Sequence, residues 1–159
     1  MTLFKDFKHV IKNISLQELY EMTKNGAVRQ QVEEIRRYEA EHNTEMTTSL
    51  KKALPAVTVA AVFNGGRTKD YFSYLSGLTV LDFDELNEKL SEVKQIVISD
   101  PHTLMANVSP RGNGLKVIVR IQPENTEPPI SWEEADRFYR TAYSFVVDYY
   151  SQLCHCEVD

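Results

Sequence analysis

The stretch Leu78-Thr-Val-Leu-Asp-Phe-Asp84 decides the fold, because it is apolar enough to form a buried central strand. Residues two apart on a strand share a face and lie roughly 6.5 Å apart at the backbone. Asp82 and Asp84 are therefore expected to converge on one cation, while Leu81 and Phe83 point into the core on the other side. Carboxylate oxygens are hard ligands that suit Mg²⁺ or Mn²⁺. The pattern thus predicts a divalent-metal site at the end of this strand.

A simpler interpretation of the same two acids stays open. Asp84 can serve only as the N-cap of the helix that follows, and Asp82 can pair with a nearby Lys or Arg. Asp-x-Asp is a common tripeptide, so the metal hypothesis needs a second element to support it.

The glycine-rich loop Ser109-Pro-Arg-Gly-Asn-Gly114 is that second element. It joins two predicted hairpin strands, Met105–Ser109 and Leu115–Ile121. Its glycines allow close approach of the backbone to a ligand and can turn amide hydrogens towards an anion. Lys116, on the following strand, is expected to bring an ammonium group to the same place. The alternative is an ordinary hairpin whose glycines satisfy positive φ, with Arg111 in solvent.

In the N-terminal third of the chain, the sequence predicts a first strand from Leu3 to Val10, followed mainly by helices. Ser15-Leu-Gln-Glu18 matches a capping box and opens a helix that ends at Asn25-Gly26. A second helix is expected from Ala27 to His42. Its Arg29, Arg36 and Arg37 are expected on a solvated face, neutralised by Glu33, Glu34 and Glu39, and a phosphate-binding surface is the alternative. Residues 43–49 are expected to form a polar connector.

The other predicted elements complete an α+β pattern. A strand is expected from Ala56 to Phe63, a helix from about Asp84 to Val93 or Ile98, and a long helix from the capping box at Ser131 to about Leu153. Its expected core face is Ala135, Phe138, Ala142, Phe145 and Tyr149. The predicted fold is an α+β sandwich with a central mixed or antiparallel sheet flanked by helices, in a single domain over residues 1–159 whose residues 15–53 form a helical N-terminal part.

Charge and composition narrow the class of protein. The chain has 159 residues, a formal net charge of −5 and a pI near 5.4, which argues against a nucleic-acid coat protein with a basic surface throughout. A local basic groove stays possible, because Pro101 to Pro123 contains no acid but includes Arg111, Lys116 and Arg120. No apolar stretch is long enough for a membrane span, and the N-terminus lacks a signal-peptide pattern. A cytoplasmic location is expected.

Several blocks together resemble a known family. Lys52-Ala-Leu-Pro55, Leu75-Ser-Gly77, the acidic strand and Ser109-Pro-Arg-Gly-Asn-Gly-Leu-Lys-Val117 look like the VirE N-terminal domain family, which is similar to the archaeo-eukaryotic primase (primase-polymerase) superfamily. The resemblance implies a primase-like fold. It also implies that Asp82 and Asp84 bind divalent metal, Mg²⁺ or Mn²⁺, as catalytic carboxylates, and that Asp159 is the third metal-binding acid. Ser109, Gly112 and Gly114 would hold the phosphates of the incoming nucleotide, together with Arg111. Lys116 stands where that motif usually has histidine.

The resemblance also implies a biological setting. Members of this family typically stand at the front of larger bacterial proteins on mobile elements, often before a helicase-like domain. The expected ligands are DNA and a nucleoside triphosphate, and the expected chemistry is primase-type nucleotidyl transfer. Two alternatives stay open: a primase fold that has lost catalysis and binds DNA or nucleotide for an attached helicase, and a structural interaction domain that shares the fold alone.

Overall fold

The structure, a computed structural model, describes residues 1–6, 8–122 and 126–158. Within these residues the chain forms five helices and three small antiparallel sheets, which confirms the predicted α+β class. The strands divide into two groups of three and one pair, so antiparallel pairing is spread over three sheets instead of one central sheet.

The sheet that carries the acidic stretch consists of β6 (Leu78–Phe83), β7 (Thr103–Val108) and β8 (Leu115–Arg120), with β8 in the middle. One of its faces packs against α4 (Leu90–Ser99) and α5 (Trp132–Cys154). Because side chains alternate along a strand, Leu81 and Phe83 both point into this core and are fully buried, as predicted. The core on this face also includes Val93, Val97, Leu115, Val117, Val119 and Tyr150.

The opposite face of this sheet contacts a second core formed by the N-terminal part of the chain. Here β1 (Thr2–Phe4) lies between β2 (Val10–Asn13) and β3 (Ala56–Thr58). The second core is formed by Met1, Leu3, Ile14, Val59, Leu78 and Ile118, with Leu19 and Met22 of the first helix packed against it. The N-terminal segment therefore covers the face of the sheet on which Asp82 lies.

Three helices precede β3: α1 (Leu16–Lys24), α2 (Arg29–Ala40) and α3 (Thr44–Ala53). The predicted capping box is present, since the Ser15 hydroxyl accepts from the Glu18 N–H and the Glu18 carboxylate accepts from the Ser15 N–H. The polar connector predicted at residues 43–49 is wrong. Asn43 caps α3 by accepting from the Met46 N–H, and Thr47 is fully buried.

Two predicted strands are each divided in the structure. The single strand expected from Leu3 to Val10 is replaced by the β1–β2 hairpin; Phe7, which was assigned to that strand, lies outside the described residues. The strand expected from Ala56 to Phe63 is divided into β3 and β4 (Ala61–Phe63), and β4 pairs with β5 (Phe72–Leu75) in the two-stranded sheet. Apolar residues continue through the second break, at Val59 and Ala60, so the pattern alone did not reveal it.

The buried face of α5 differs from the predicted one. Ser131 caps the helix as expected and Ala135 is buried, but Phe145 is 71% exposed and Tyr149 is 43% exposed. The buried side chains towards the C-terminal end are Tyr150 and Cys154, with Val146, Val147 and Leu153 packed beside them. No helix in the part of the chain that the structure describes combines the length and apolar character needed to span a bilayer.

Candidate functional site

The candidate site is built on one row of side chains across the β6–β8–β7 sheet. Asp82 of β6 is the register partner of Lys116 of β8, and Lys116 is in turn the register partner of Asn107 of β7. Register partners in an antiparallel sheet project on the same face. The row therefore lies on the face opposite Leu81 and Phe83, towards the N-terminal segment.

Asp82 and Lys116 form an ion pair in which the Lys116 ammonium donates to Oδ2 of Asp82. About a third of each side chain is exposed. The other carboxylate oxygen, Oδ1, is buried and has no hydrogen-bond partner among the described residues. A buried carboxylate oxygen without a donor is unfavourable, so Oδ1 would be stabilised by a ligand. The local Lys pairing that the sequence left open for Asp82 is present.

Asp84 lies just beyond β6, which ends at Phe83, and its side chain is exposed. In the turn that follows, Glu85 and Asn87 have positive φ values of 53° and 48°. Residues other than Gly, Asn and Asp seldom adopt this conformation, so Glu85 is the unusual one. Asp84 does not cap a helix, because α4 begins only at Leu90 after a short 3₁₀ turn over Asn87–Lys89. The predicted start of this helix is therefore wrong.

The glycine loop is closed by Ser109 and Gly114. The Ser109 N–H donates to the Gly114 carbonyl at 2.8 Å, and the Gly114 N–H donates to the Ser109 hydroxyl at 3.2 Å. The Gly112 N–H donates to the Ser109 carbonyl at 2.9 Å, and Gly112 has the positive φ of 91° that the hairpin interpretation anticipated. The amides of Gly112 and Gly114 thus shape the loop itself, and Ser109 is buried.

The loop is fastened directly to the acidic turn. The Asn113 carbonyl accepts from the N–H groups of Leu86, at 2.8 Å, and Asn87, at 3.3 Å. A Cβ at position 114 would collide with the Phe83 carbonyl oxygen and approach Cα of Asp84 to 3.4 Å. Gly114 is therefore required for close packing of the loop on the end of β6. The turn that follows Asp84 and the glycine loop are thus in contact through their backbones.

Arg36, for which the sequence favoured a solvated face, contacts the loop backbone. Nη2 of Arg36 on α2 donates to the Ser109 carbonyl at 3.4 Å. Arg111, which was predicted to face phosphate, lies with Nε 3.7 Å from Oε2 of Glu39. A signal for Arg36 was present, since Arg29, Val32 and Arg36 follow helical i, i+3, i+7 spacing and so share one face.

The acidic turn and the end of the chain meet at a second place. Asp84 lines an open pocket of about 410 Å³ together with Glu85, Glu88, Cys156 and Glu157. The predicted third metal-binding acid, Asp159, lies outside the described residues. Among residues 1–6, 8–122 and 126–158, no three His, Cys, Asp or Glu side chains are grouped closely enough to hold a metal ion. A cation bound here would need oxygen ligands from a substrate in addition to Asp82 and Asp84, as is common for Mg²⁺.

Comparison with known proteins identifies the family. No curated protein and no solved structure matches the chain. A family model described as "BT4734-like, N-terminal domain" matches residues 49–159, which are more than half of the chain and include β6, the glycine loop and β8. The chain therefore belongs to the BT4734-like N-terminal domain family.

Proposed function

We propose that this domain binds a nucleoside triphosphate together with a divalent cation, as a primase-like nucleotidyltransferase domain of a mobile-element replication protein. The similarity to the VirE N-terminal domain family and to primase-polymerases, which rests on the acidic and glycine-loop blocks, supplies the class of reaction. The geometry of the site supplies the physical support.

One observation carries the proposal: the glycine loop is attached to the end of β6 through Asn113 and Gly114. This attachment holds Asp82, Lys116 and the loop in one place, although they are distant in sequence. A triphosphate needs cationic and amide donors, and the cation that accompanies it needs carboxylate oxygens. Lys116 supplies a cationic donor and the two acids supply carboxylate oxygens, whereas the Gly112 and Gly114 amides are already used within the loop.

The donors for phosphate come from three elements. Lys116 is a compact cation on a strand, and Arg36 reaches the loop from α2. The distance between Arg111 and Glu39 is longer than a hydrogen bond, so their ion pair is weak. Arg111 can therefore leave Glu39 and bind phosphate instead. Ser109 contributes a hydroxyl whose oxygen already accepts from Gly114, which leaves its own hydrogen available to donate.

The carboxylates suit Mg²⁺ or Mn²⁺ in part. Oδ1 of Asp82 has no partner among the described residues, and Asp84 presents an exposed carboxylate at the strand end. Asp82 and Asp84 would hold the ion, and Asp159 is proposed as the third acid. A bound cation would neutralise charge on the triphosphate. The role of Lys116 would be to release Oδ2 of Asp82 and bind phosphate.

Binding of ATP in the presence of Mn²⁺ tests the proposal by titration calorimetry. Wild type is expected to bind, and the affinity is expected to fall when Mn²⁺ is omitted. Asp82→Asn keeps the shape of the side chain but removes its charge, and it should abolish the effect of Mn²⁺. Asp136→Asn is a matched control, because Asp136 also pairs with a cation, Arg140, but lies on α5. ATP binding that ignores both Mn²⁺ and Asp82 would contradict the proposal.

A second candidate function is a binding module without catalysis, which recognises DNA or nucleotide for an attached helicase-like domain. The Asp82–Lys116 ion pair favours it, because a lysine that neutralises a metal-binding acid weakens metal binding. Template-dependent primer extension distinguishes the two. Extension that Asp82→Asn abolishes supports the enzyme. DNA binding without extension, indifferent to Asp82 but lost in Arg111→Ala/Lys116→Ala, supports the binding module.

A further inference from the structure

A pocket of about 430 Å³ lies between the N-terminal helices and the sheet, beside the glycine loop. Leu19 and Met22 of α1, Val32 of α2, and Leu3 and Val57 of the β2–β1–β3 sheet line it with apolar side chains. Sites for small organic ligands usually enclose roughly 300–1,000 Å³ and have mainly apolar walls with a few polar groups. The pocket has the size and the lining of such a site.

The charge of the pocket is opposite to that of the protein. Its charged lining residues are Arg29 and Arg36, and no Asp or Glu is found among the described residues that line it. The chain as a whole carries a formal charge of −5. Both arginines stand on one face of α2, seven residues apart, so their guanidinium groups are placed along the same wall. An apolar ligand with an anionic group complements this arrangement.

The pocket adjoins the proposed phosphate site. Its lining includes Asn107, the register partner of Lys116, and Pro110 within the glycine loop. Arg36 belongs to both places, because it lines the pocket and donates to the Ser109 carbonyl. A ligand that occupies the pocket and carries phosphates would extend them over the loop towards Lys116.

We infer that this pocket receives the base and sugar of the nucleotide whose phosphates the glycine loop holds. The inference rests on the proposed function and adds a site for the nucleoside, built largely by α1 and α2, which precede the residues matched by the family model. A nucleobase has apolar faces that Leu19, Met22 and Val32 can cover. Arg29 and Arg36 lie beside it and favour the charged end of the molecule.

Blocking the pocket separates this inference from the proposed function. Ala27 and Thr23 line the pocket and are exposed, so Ala27→Phe and Thr23→Phe fill it without disturbing the core. Gln31→Phe is the matched control, because Gln31 is exposed on α2 and does not line the pocket. Each protein is titrated by calorimetry with ATP and with inorganic tripolyphosphate, both with Mn²⁺, after circular dichroism has confirmed folding.

Both pocket variants are expected to weaken ATP binding by about tenfold or more, because the base can no longer bury its apolar faces. Tripolyphosphate binding should be unchanged in both, and Gln31→Phe should match wild type for both ligands. The inference is overturned if wild type binds ATP no more tightly than tripolyphosphate, or if the pocket variants bind ATP normally. Failure of wild type to bind either ligand overturns the proposed function, and the inference with it.

Discussion

Lys116 neutralises Asp82 across the β6–β8 register, so the cation expected to bind phosphate and the acid expected to bind metal are paired with each other. Because each side chain is about one third exposed, the pair lies at the margin of solvent and contributes little to stability. Its importance is for ligand binding. A metal ion and a triphosphate together can replace this pair by contacting Asp82 and Lys116 separately.

The first prediction concerns Lys116→Met. Removal of the ammonium leaves Asp82 without its competing cation, so the affinity for Mn²⁺ alone should rise by about two- to fivefold, the range expected from a partly exposed ion pair. The affinity for Mn²⁺ with tripolyphosphate should instead fall by about tenfold, because a charge-assisted contact to phosphate is lost. Calorimetry measures both.

Lys12→Met is the control for this change, since Lys12 also pairs with a carboxylate, that of Glu18, but on the exposed N-terminal segment. It should alter neither affinity. Weaker Mn²⁺ binding in Lys116→Met would contradict the competition between lysine and metal.

The second prediction concerns Gly114→Ala. The added methyl group would collide with the Phe83 carbonyl, which is backbone and cannot move without shifting β6. Overpacking of this kind costs about 1–3 kcal/mol of unfolding free energy. Asn113→Ala keeps the backbone carbonyl that accepts from Leu86, so it should change stability by no more than about 0.5 kcal/mol. Chemical denaturation compares the two, and equal stability would show that the loop does not pack on β6 as described.

Much of this site followed from the sequence because its signals are local. Asp82 was expected on the face of the sheet opposite to Leu81 and Phe83, because side chains alternate between the two faces along a strand. The hairpin of β7 and β8 followed from the glycines between two apolar runs. The Asp82–Lys116 pair depends on the register between strands, and the contact between Arg36 and Ser109 depends on the packing of α2, so neither could be derived from the pattern of one segment.

The third prediction concerns α5, where the periodicity favoured the wrong face. Phe145 satisfies a helical apolar spacing with Phe138 and Ala142, yet it is 71% exposed, whereas Tyr150 is 1% exposed. Phe145→Ala should therefore alter the unfolding free energy by at most about 0.5 kcal/mol. Tyr150→Ala should lower it by about 3 kcal/mol or more, as for other large aromatic side chains removed from a core. Denaturant titrations measure both variants. A similar decrease in unfolding free energy for the two would mean that α5 is rotated about its axis relative to the arrangement described above.

The fourth prediction concerns Asp100, which lies at the end of α4 and is nearly buried. Burial alone would raise the pKa of Asp100. Hydrogen bonds outweigh it: the Tyr149 hydroxyl donates at 2.6 Å, the His102 N–H at 2.9 Å and the Tyr150 hydroxyl at 3.1 Å, so the pKa lies below its ordinary value of 3.8. The charged form is therefore favoured by folding.

Asp100→Asn should accordingly lower the unfolding free energy at neutral pH by about 1.5–3 kcal/mol, the contribution of hydrogen bonds to a charged group. A lowered pKa in the folded state stabilises the protein above pH 3.8, and this stabilisation is lost as the pH falls further through the folded-state pKa. The difference between wild type and variant should thus be constant near neutrality and shrink below pH 3.8. Thermal melts over this range measure it, and a difference that grows on acidification would have the wrong sign.

The most direct test of the central claim is an anomalous difference map from crystals of the protein grown with Mn²⁺ and a non-hydrolysable nucleoside triphosphate. We expect a manganese peak at Oδ1 of Asp82, the triphosphate along residues 109–114, and Lys116 moved from Asp82 to phosphate. An intact Asp82–Lys116 ion pair, with manganese and nucleotide bound elsewhere, would contradict it.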